Sequence, residues 1–151
     1  MIVACDIDGV LADVRNEYHY LPDWAEYFKH LDEHKPIKPV VNLVRALALS
    51  GHSVVFITSR PESTRRATAR WLNKVLWTRK VFWSYQLRMR EVGDVRPSVE
   101  IKLGFCKGLK PSLVFEDEPR AAGLLADAGF TVLQVHGFRL DKDVDRIPVG
   151  Y

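Results

Sequence analysis

The chain alternates short apolar runs with stretches in which apolar residues recur at helical spacing. A short apolar run bounded by polar or turn residues predicts a buried strand, because strands of a parallel sheet are covered on both faces. Five such runs predict strands, at Met1–Cys5, Ser53–Ile57, Val81–Tyr85, Ser112–Phe115 and Thr131–Val135.

The segments between these runs carry the helical pattern, with apolar residues three and four positions apart. They predict helices around Asp23–Leu31 and at Val40–Leu49, Ser63–Val75, Val99–Cys106 and Arg120–Ala128. Residues 86–98 are rich in Arg and Gly and are expected to form a loop. Strands that alternate with helices predict an α/β fold, with a mostly parallel sheet between two helical layers.

The composition, 47% hydrophobic and 27% charged, is that of a soluble globular domain. No apolar run approaches the length needed to span a membrane. Asp6 and Asp8 interrupt the place where a signal peptide would have its apolar core, so we expect a cytoplasmic protein. Cys5 and Cys106 are expected to be buried as small hydrophobic residues rather than joined in a disulfide framework.

The net charge of +3 is unevenly distributed. Residues 60–110 contain thirteen Lys and Arg against four Asp and Glu, and the rest of the chain is acidic. A basic middle segment suits an anionic substrate. The alternative is a solvated helical face with scattered arginines.

Polar residues directly follow three of the predicted strands. In an open α/β sheet, ligands bind at the carboxyl ends of the strands, so these residues should converge on one edge. The first strand runs into Asp6 and Asp8, the second into Thr58, Ser59 and Arg60, and the fourth into Glu116 and Asp117.

Asp6 and Asp8 are separated by one residue, which would place both carboxylates on one face of a regular strand. Such carboxylates repel each other unless a cation neutralises them, and magnesium with a third carboxylate from Asp117 fits. Asp6 could then attack phosphorus, while Asp8 protonates the leaving group and later activates water. Gly9 would allow close approach of the phosphate to a free backbone N–H. The alternative is a polar turn that caps a helix.

Thr58 offers a hydroxyl group and Lys102 a positive charge, and phosphoryl transfer needs such groups around the phosphate oxygens. Each also has an ordinary structural interpretation. Thr58 could be a turn residue at a strand end, and Lys102 could be a surface lysine.

The order of these residues resembles the four motifs of the haloacid dehalogenase superfamily of phosphatases, from Ile2 to about Gly137. The matching segments are Asp6-Ile-Asp8-Gly-Val, Phe56-Ile-Thr58-Ser-Arg60, Lys102 and Val114-Phe-Glu116-Asp117. The resemblance implies a Rossmann-like, three-layer α/β/α fold, an aspartyl-phosphate intermediate and a magnesium cofactor.

The resemblance also implies roles for the matching residues. Asp6 corresponds to the nucleophile and Asp8 to the general acid/base. Thr58, with Ser59 beside it, and Lys102 correspond to phosphate-binding residues. The metal site would comprise the two catalytic aspartates together with Asp117 and Glu116. Glu116 departs from the double-Asp form of the last motif, so the sequence leaves open whether it contacts the metal.

Two further segments resemble the 3′-phosphatase domain of phage-type polynucleotide kinase-phosphatases, in which arginines line a substrate groove. They are Arg66-Ala-Thr-Ala-Arg70-Trp-Leu and Gln86-Leu-Arg88-Met-Arg-Glu-Val-Gly-Asp-Val-Arg96. Arg60 is then expected at the rim of the site, and Arg88 and Arg96 on the loop beside it. The expected substrate is a nucleic-acid 3′-phosphate end.

A GxxxxGK[ST] phosphate loop is missing from the sequence, so any kinase or ligase would be a separate partner. Two alternatives remain open. The opening Asp8–Asp13 also resembles 5′(3′)-deoxynucleotidases, which would make a mononucleotide the substrate. The fold could also serve as a non-catalytic binder of anionic partners.

We expect residues 1–151 to form one domain, in which 13–39 are a small cap insert at most. An uncapped site suits the end of a polymer. Tyr18, Tyr20 and Trp24 could stack on a base. The alternative, favoured for Trp24 and Phe28, is that these aromatic residues form a small core under the insert.

Overall fold

The computed structural model describes residues 1–21, 23–76 and 84–136, and of Tyr18 only the backbone. Its strands, numbered along the chain, are β1 (Ile2–Cys5), β2 (Ala12–Asp13), β3 (Lys35–Pro36), β4 (Ser53–Pro61), β5 (Gln86–Arg90), β6 (Leu113–Glu116) and β7 (Val132–Gln134). Its helices are α1 (Trp24–Lys29), α2 (Lys38–Leu49), α3 (Arg65–Leu76), α4 (Ser98–Leu109) and α5 (Pro119–Asp127).

Five strands form one parallel sheet in the order β5-β4-β1-β6-β7. The first strand lies at the centre, with Cys5 level with Phe56 of β4 on one side and Phe115 of β6 on the other. The polar residues that follow these three strands therefore lie at the same edge, as the sequence predicts.

The sheet separates two apolar clusters. One contains Val44 of α2 and Trp71 of α3, and the other contains Cys106 of α4 and Leu125 of α5. Helices therefore cover both faces, which confirms the predicted three-layer α/β architecture. Cys5 and Cys106 are both buried and free, also as predicted.

The expectation of a loop over residues 86–98 is wrong for its first part, because Gln86–Arg90 is the edge strand β5. The segment alternates polar residues with Leu87 and Met89, and this period of two outweighs its high arginine content. The strand predicted at Val81–Tyr85 is not found at Ser84 and Tyr85, and residues 81–83 lie outside the described part of the chain.

The insert between β1 and α2 consists of the antiparallel pair β2–β3 with the short helix α1 between them. The Trp71 indole N–H donates to the His34 carbonyl oxygen at 2.8 Å and so ties the insert to α3. Among the described residues, no helix has both the length and the apolar character needed to cross a lipid bilayer.

Candidate active site

Lys102 lies between two carboxylates at the edge of the sheet. Its Nζ donates to Asp6 Oδ2 at 2.7 Å and to Glu116 Oε1 at 2.8 Å. Asp6 follows β1 directly, Glu116 is the last residue of β6, and Lys102 comes from the first half of α4. All three side chains are buried, so the alternative interpretation of Lys102 as a surface lysine is wrong.

Asp117 adds a third carboxylate to Asp6 and Glu116, and one oxygen of each lies within 4.8 Å of the others. Glu116 Oε2 is buried and lacks a hydrogen-bond partner among the described residues. An all-oxygen donor set with an unsatisfied buried oxygen fits a hard cation such as magnesium. These residues could therefore hold a metal ion.

The electrostatics of the cluster show an excess of negative charge. Burial raises the pKa of Asp6 to about 7, despite the attraction of Lys102. Burial, reinforced by the like charge of Asp6, raises the pKa of Asp117 to about 7 as well. One lysine does not neutralise three clustered carboxylates, and a bound dication would relieve the remaining repulsion.

Asp8 faces a different partner. Arg60 Nε donates to Asp8 Oδ2 at 2.8 Å and Arg60 Nη2 donates to Oδ1 at 2.7 Å. The predicted rim position of Arg60 is wrong, because its side chain is only 2% exposed. Its length lets it turn inward from the end of β4, where the carboxylate compensates its charge. The side chain of Asp8 is not brought into the acidic cluster, unlike the other residues of the predicted metal site.

Two further residues fix the guanidinium of Arg60. Arg60 Nη1 donates to Thr68 Oγ1 at 3.2 Å, and Nη2 lies 3.1 Å from His34 Nδ1. Burial lowers the pKa of His34 to about 4, so the ring is neutral and its Nδ1 can accept this bond. Sequence reasoning missed both residues, since a lone His and a mid-helix Thr carry no motif.

Thr58 is buried at the edge, and its Oγ1 accepts the Arg60 backbone N–H at 3.1 Å. Ser59 beside it is half-buried. The expectation of a free N–H at Gly9 is wrong, because this group donates to the Ala12 carbonyl oxygen at 2.9 Å. Gly9 is needed for a different close approach, since a Cβ there would lie 1.9 Å from Asp117 Oδ2.

The two other predicted substrate arginines are exposed. Arg88 lies on β5 rather than on the loop, and its Nη2 donates to Gln86 Oε1 at 3.3 Å. Arg96 does lie on the loop, where its Nε donates to Asp94 Oδ1 at 3.0 Å and its Nη2 is also paired with that carboxylate. The structure therefore leaves Arg88 more weakly held than Arg96.

The aromatic residues of the insert contact one another. Tyr20 stacks on His30 with ring centroids 4.1 Å apart, and Trp24 lies edge-on to Tyr27 at 5.6 Å. Trp24 also contacts Phe28. These contacts favour the interpretation of Trp24 and Phe28 as part of a small aromatic core.

The family comparison agrees with the fold and the site. The family model for the phosphatase domain of polynucleotide kinase PNKP matches residues 1–137. The chain therefore belongs to this family of haloacid dehalogenase phosphatases. A search of curated protein sequences found no match.

Solved structures with this fold include several hydrolases. A chain of the Pnkp1/Rnl/Hen1 RNA repair complex superposes with a TM-score of 0.72 at 20% identity, and the match covers 89% of this protein but 42% of that chain. D,D-heptose 1,7-bisphosphate phosphatase from B. bronchiseptica, solved with magnesium and phosphate, gives 0.58 at 14% identity, with 87% and 78% covered. A haloacid dehalogenase hydrolase from Entamoeba histolytica gives 0.60 at 14% identity, with 89% and 83% covered.

Proposed function

We propose that the protein is a magnesium-dependent phosphomonoesterase that removes phosphate from nucleic-acid 3′ ends through an aspartyl-phosphate on Asp6. The observation that carries this proposal is the placement of Asp6, which is bonded to Lys102 at 2.7 Å and lies in a cluster with two more carboxylates. A carboxylate in this setting has the cationic support that nucleophilic attack on an anionic phosphate requires.

In the first step, a carboxylate oxygen of Asp6 forms a bond to phosphorus and the bond from phosphorus to the leaving oxygen breaks. Asp8 donates a proton to that oxygen. In the second step, water attacks phosphorus and gives a proton back to Asp8, and phosphate leaves as Asp6 is regenerated. The pairing of Asp8 with Arg60 supports the second step, because a carboxylate held ionised can accept a proton. The first step needs a protonated Asp8, so in this proposal the pairing with Arg60 loosens when the substrate binds.

Three other residues would supply the phosphate contacts. Thr58 and Ser59 would bind the phosphate oxygens. Lys102, which donates to Asp6, would stabilise the negative charge that develops there. Asp6, Glu116 and Asp117 would hold the magnesium ion, whereas the carboxylate of Asp8 is paired with Arg60. The bound ion would neutralise the acidic cluster and polarise the phosphate.

The substrate class rests on the family and on the surface near the site. The matched family is named for a polynucleotide kinase, and a structural neighbour belongs to an RNA repair complex. Arg88 and Arg96 are exposed on the segment that leads to α4, where a phosphodiester backbone would meet them. The insert of residues 13–39 is small, which would leave room for a polymer.

The chain spans less than half the length of its counterpart in the RNA repair complex. We propose that residues 1–151 form one phosphatase domain and that a kinase or ligase activity accompanies it. This agrees with the missing kinase phosphate loop in the sequence.

A substrate panel tests the proposal. Phosphate release would be measured from 3′-phosphorylated and 5′-phosphorylated DNA and RNA oligonucleotides and from 3′- and 5′-mononucleotides, each with and without magnesium. We expect the 3′-phosphorylated oligonucleotides to be cleaved with the highest kcat/KM, and only with magnesium. A preference for mononucleotides would instead identify a 5′(3′)-deoxynucleotidase, and no release from any phosphomonoester would contradict the proposal.

A further inference from the structure

Arg90 is a buried arginine. In the described part of the chain it forms no hydrogen bond with Asp6, Glu116 or Asp117. The residue is 2% exposed, and within the described residues its side chain donates three hydrogen bonds, all to backbone carbonyl oxygens. Nε donates to the Ser59 oxygen at 2.9 Å, and Nη1 donates to the oxygens of Asp94 at 2.9 Å and Arg96 at 2.7 Å. Arg90 thus joins the end of β4 to the loop between β5 and α4.

The guanidinium of Arg90 forms no direct ion pair with a carboxylate in the described part of the chain. The Asp94 carboxylate attracts the charge of Arg90, but its hydrogen bonds go to Arg96. Arg90 Nη2 is buried and without a hydrogen-bond partner among the described residues. Burying a guanidinium that has no direct ion pair is costly, so the position of Arg90 next to the proposed phosphate-binding segment calls for a reason beyond packing.

The irregular pairing of β4 with β5 gives part of that reason. The register shifts between Ile57 and Pro61, so the segment that contains Thr58 and Ser59 is not held by the regular ladder. The Arg90 side chain bonds to the Ser59 carbonyl within this irregular segment. It therefore takes over a fixing role that backbone pairing performs elsewhere in the sheet.

We propose that Arg90 is a positioning residue for phosphate binding: it fixes the Thr58–Ser59 segment against the loop 91–96, and its charge, which is only partly compensated by Asp94, favours an anion at that edge. This inference rests on the proposed phosphate-binding role of Thr58 and Ser59. Arg90 itself does not contact substrate. It acts through the Ser59 carbonyl and through its electric field, which the buried setting screens only weakly.

Three substitutions separate bonding from charge. Arg90→Met removes both, Arg90→Gln keeps donor capacity without charge, and Arg90→Lys keeps the charge with fewer bonds. The readouts are kcat and KM for p-nitrophenyl phosphate and the inhibition constant of inorganic phosphate. Each is measured with magnesium, at a temperature where thermal melts show the variant folded. Two variants are the controls. Lys107→Met removes an exposed positive charge from α4, and Leu125→Ala weakens the apolar cluster that contains Cys106 of α4.

We expect Arg90→Met to raise KM and the phosphate inhibition constant about tenfold, with a smaller change in kcat, because ground-state and transition-state binding of phosphate weaken together. Arg90→Lys should recover part of this loss and Arg90→Gln less. Both controls should stay within about twofold of the wild-type constants.

Unchanged phosphate inhibition in folded Arg90→Met or Arg90→Gln would overturn the inference. So would equal losses in Arg90→Lys and Arg90→Gln, or failure of every variant at this position to fold, since Arg90 would then act only on stability. Failure of the proposed function would look different. Wild-type protein would then release no phosphate with magnesium, or Asp6→Asn would remain active.

Discussion

Arg60 holds Asp8 with two hydrogen bonds, of 2.8 and 2.7 Å, although the residues are 52 positions apart in the chain. They meet because β1 and β4 are neighbours in the sheet and both end at the same edge. Burial alone would raise the pKa of Asp8, but the charge and hydrogen bonds of Arg60 lower it below the ordinary value. The arginine that the sequence places beside the phosphate site therefore serves the proposed general acid/base.

Replacement of Arg60 by Lys should lower kcat by about 100-fold, because an ammonium group cannot reproduce the two-point contact that orients Asp8. The measurement is the turnover of p-nitrophenyl phosphate by folded protein. Arg65→Lys is the matched control, since Arg65 is an exposed arginine that also pairs with one carboxylate, that of Glu62. Equal activity of the two variants would contradict the positioning role of Arg60.

Gly9→Ala should raise the Kd for magnesium, whereas its loss of unfolding free energy should match that of a control glycine. The added Cβ would lie 1.9 Å from Asp117 Oδ2, so this carboxylate must move. Gly51→Ala is the control, because Gly51 has a similar φ of +84° but nothing within 4 Å of the added Cβ. Both variants should lose about 1–2 kcal/mol of unfolding free energy through backbone strain. A magnesium titration that is unchanged in Gly9→Ala would argue against a metal site at Asp117.

Asp117→Asn should be at least as stable as wild type in metal-free buffer, because it removes one of three clustered negative charges. Magnesium should raise the melting temperature of wild type but not of the variant. At a concentration of 100 times Kd, the gain for wild type would be about 2.7 kcal/mol. EDTA should abolish activity and magnesium restore it. The measurement is thermal unfolding with and without magnesium. An equal rise of the melting temperature in both proteins would mean that the ion binds elsewhere.

Arg88→Ala and Arg96→Ala should lower turnover of a 3′-phosphorylated oligonucleotide more than turnover of p-nitrophenyl phosphate. Each lost phosphate contact should also reduce the salt dependence by a slope of about 0.7 for a single strand. Kinetics at two ionic strengths measure both effects.

Asp94→Ala separates the roles of Arg96. It leaves the arginine in place but removes its carboxylate partner. If Arg96 only braces the loop, Arg96→Ala and Asp94→Ala will impair both substrates alike and the salt slope will not change. If Arg96 contacts substrate, only Arg96→Ala will change the slope.

The sheet and the residues at its edge could be predicted because both follow from local patterns. Apolar runs mark the strands, and Asp6 and Glu116 come at or just after strand ends, where the geometry of a parallel sheet brings them together. The edge strand β5 was less predictable, because its arginines resemble a loop in composition. One of them, Arg90, is fully buried, which no periodicity indicates.

The partners of the charged residues could not be predicted, since they depend on contacts distant in sequence. The basic character of residues 60–110 favours a surface for anions, yet Arg60, Arg90 and Lys102 are all buried and bonded within the fold. A charge count cannot distinguish a cation that meets substrate from one that compensates an internal carboxylate. The same limit explains the wrong expectation of a rim position for Arg60.

The most direct test of the account compares wild type with Asp6→Asn in phosphate release from a 3′-phosphorylated oligonucleotide with magnesium. The amide is nearly isosteric with the carboxylate but attacks phosphorus poorly, so we expect a folded variant, checked by thermal melting, with no measurable turnover. Release by Asp6→Asn at about a tenth of the wild-type rate or more would contradict the assignment of Asp6 as the nucleophile, because removal of a covalent nucleophile must cost far more than tenfold.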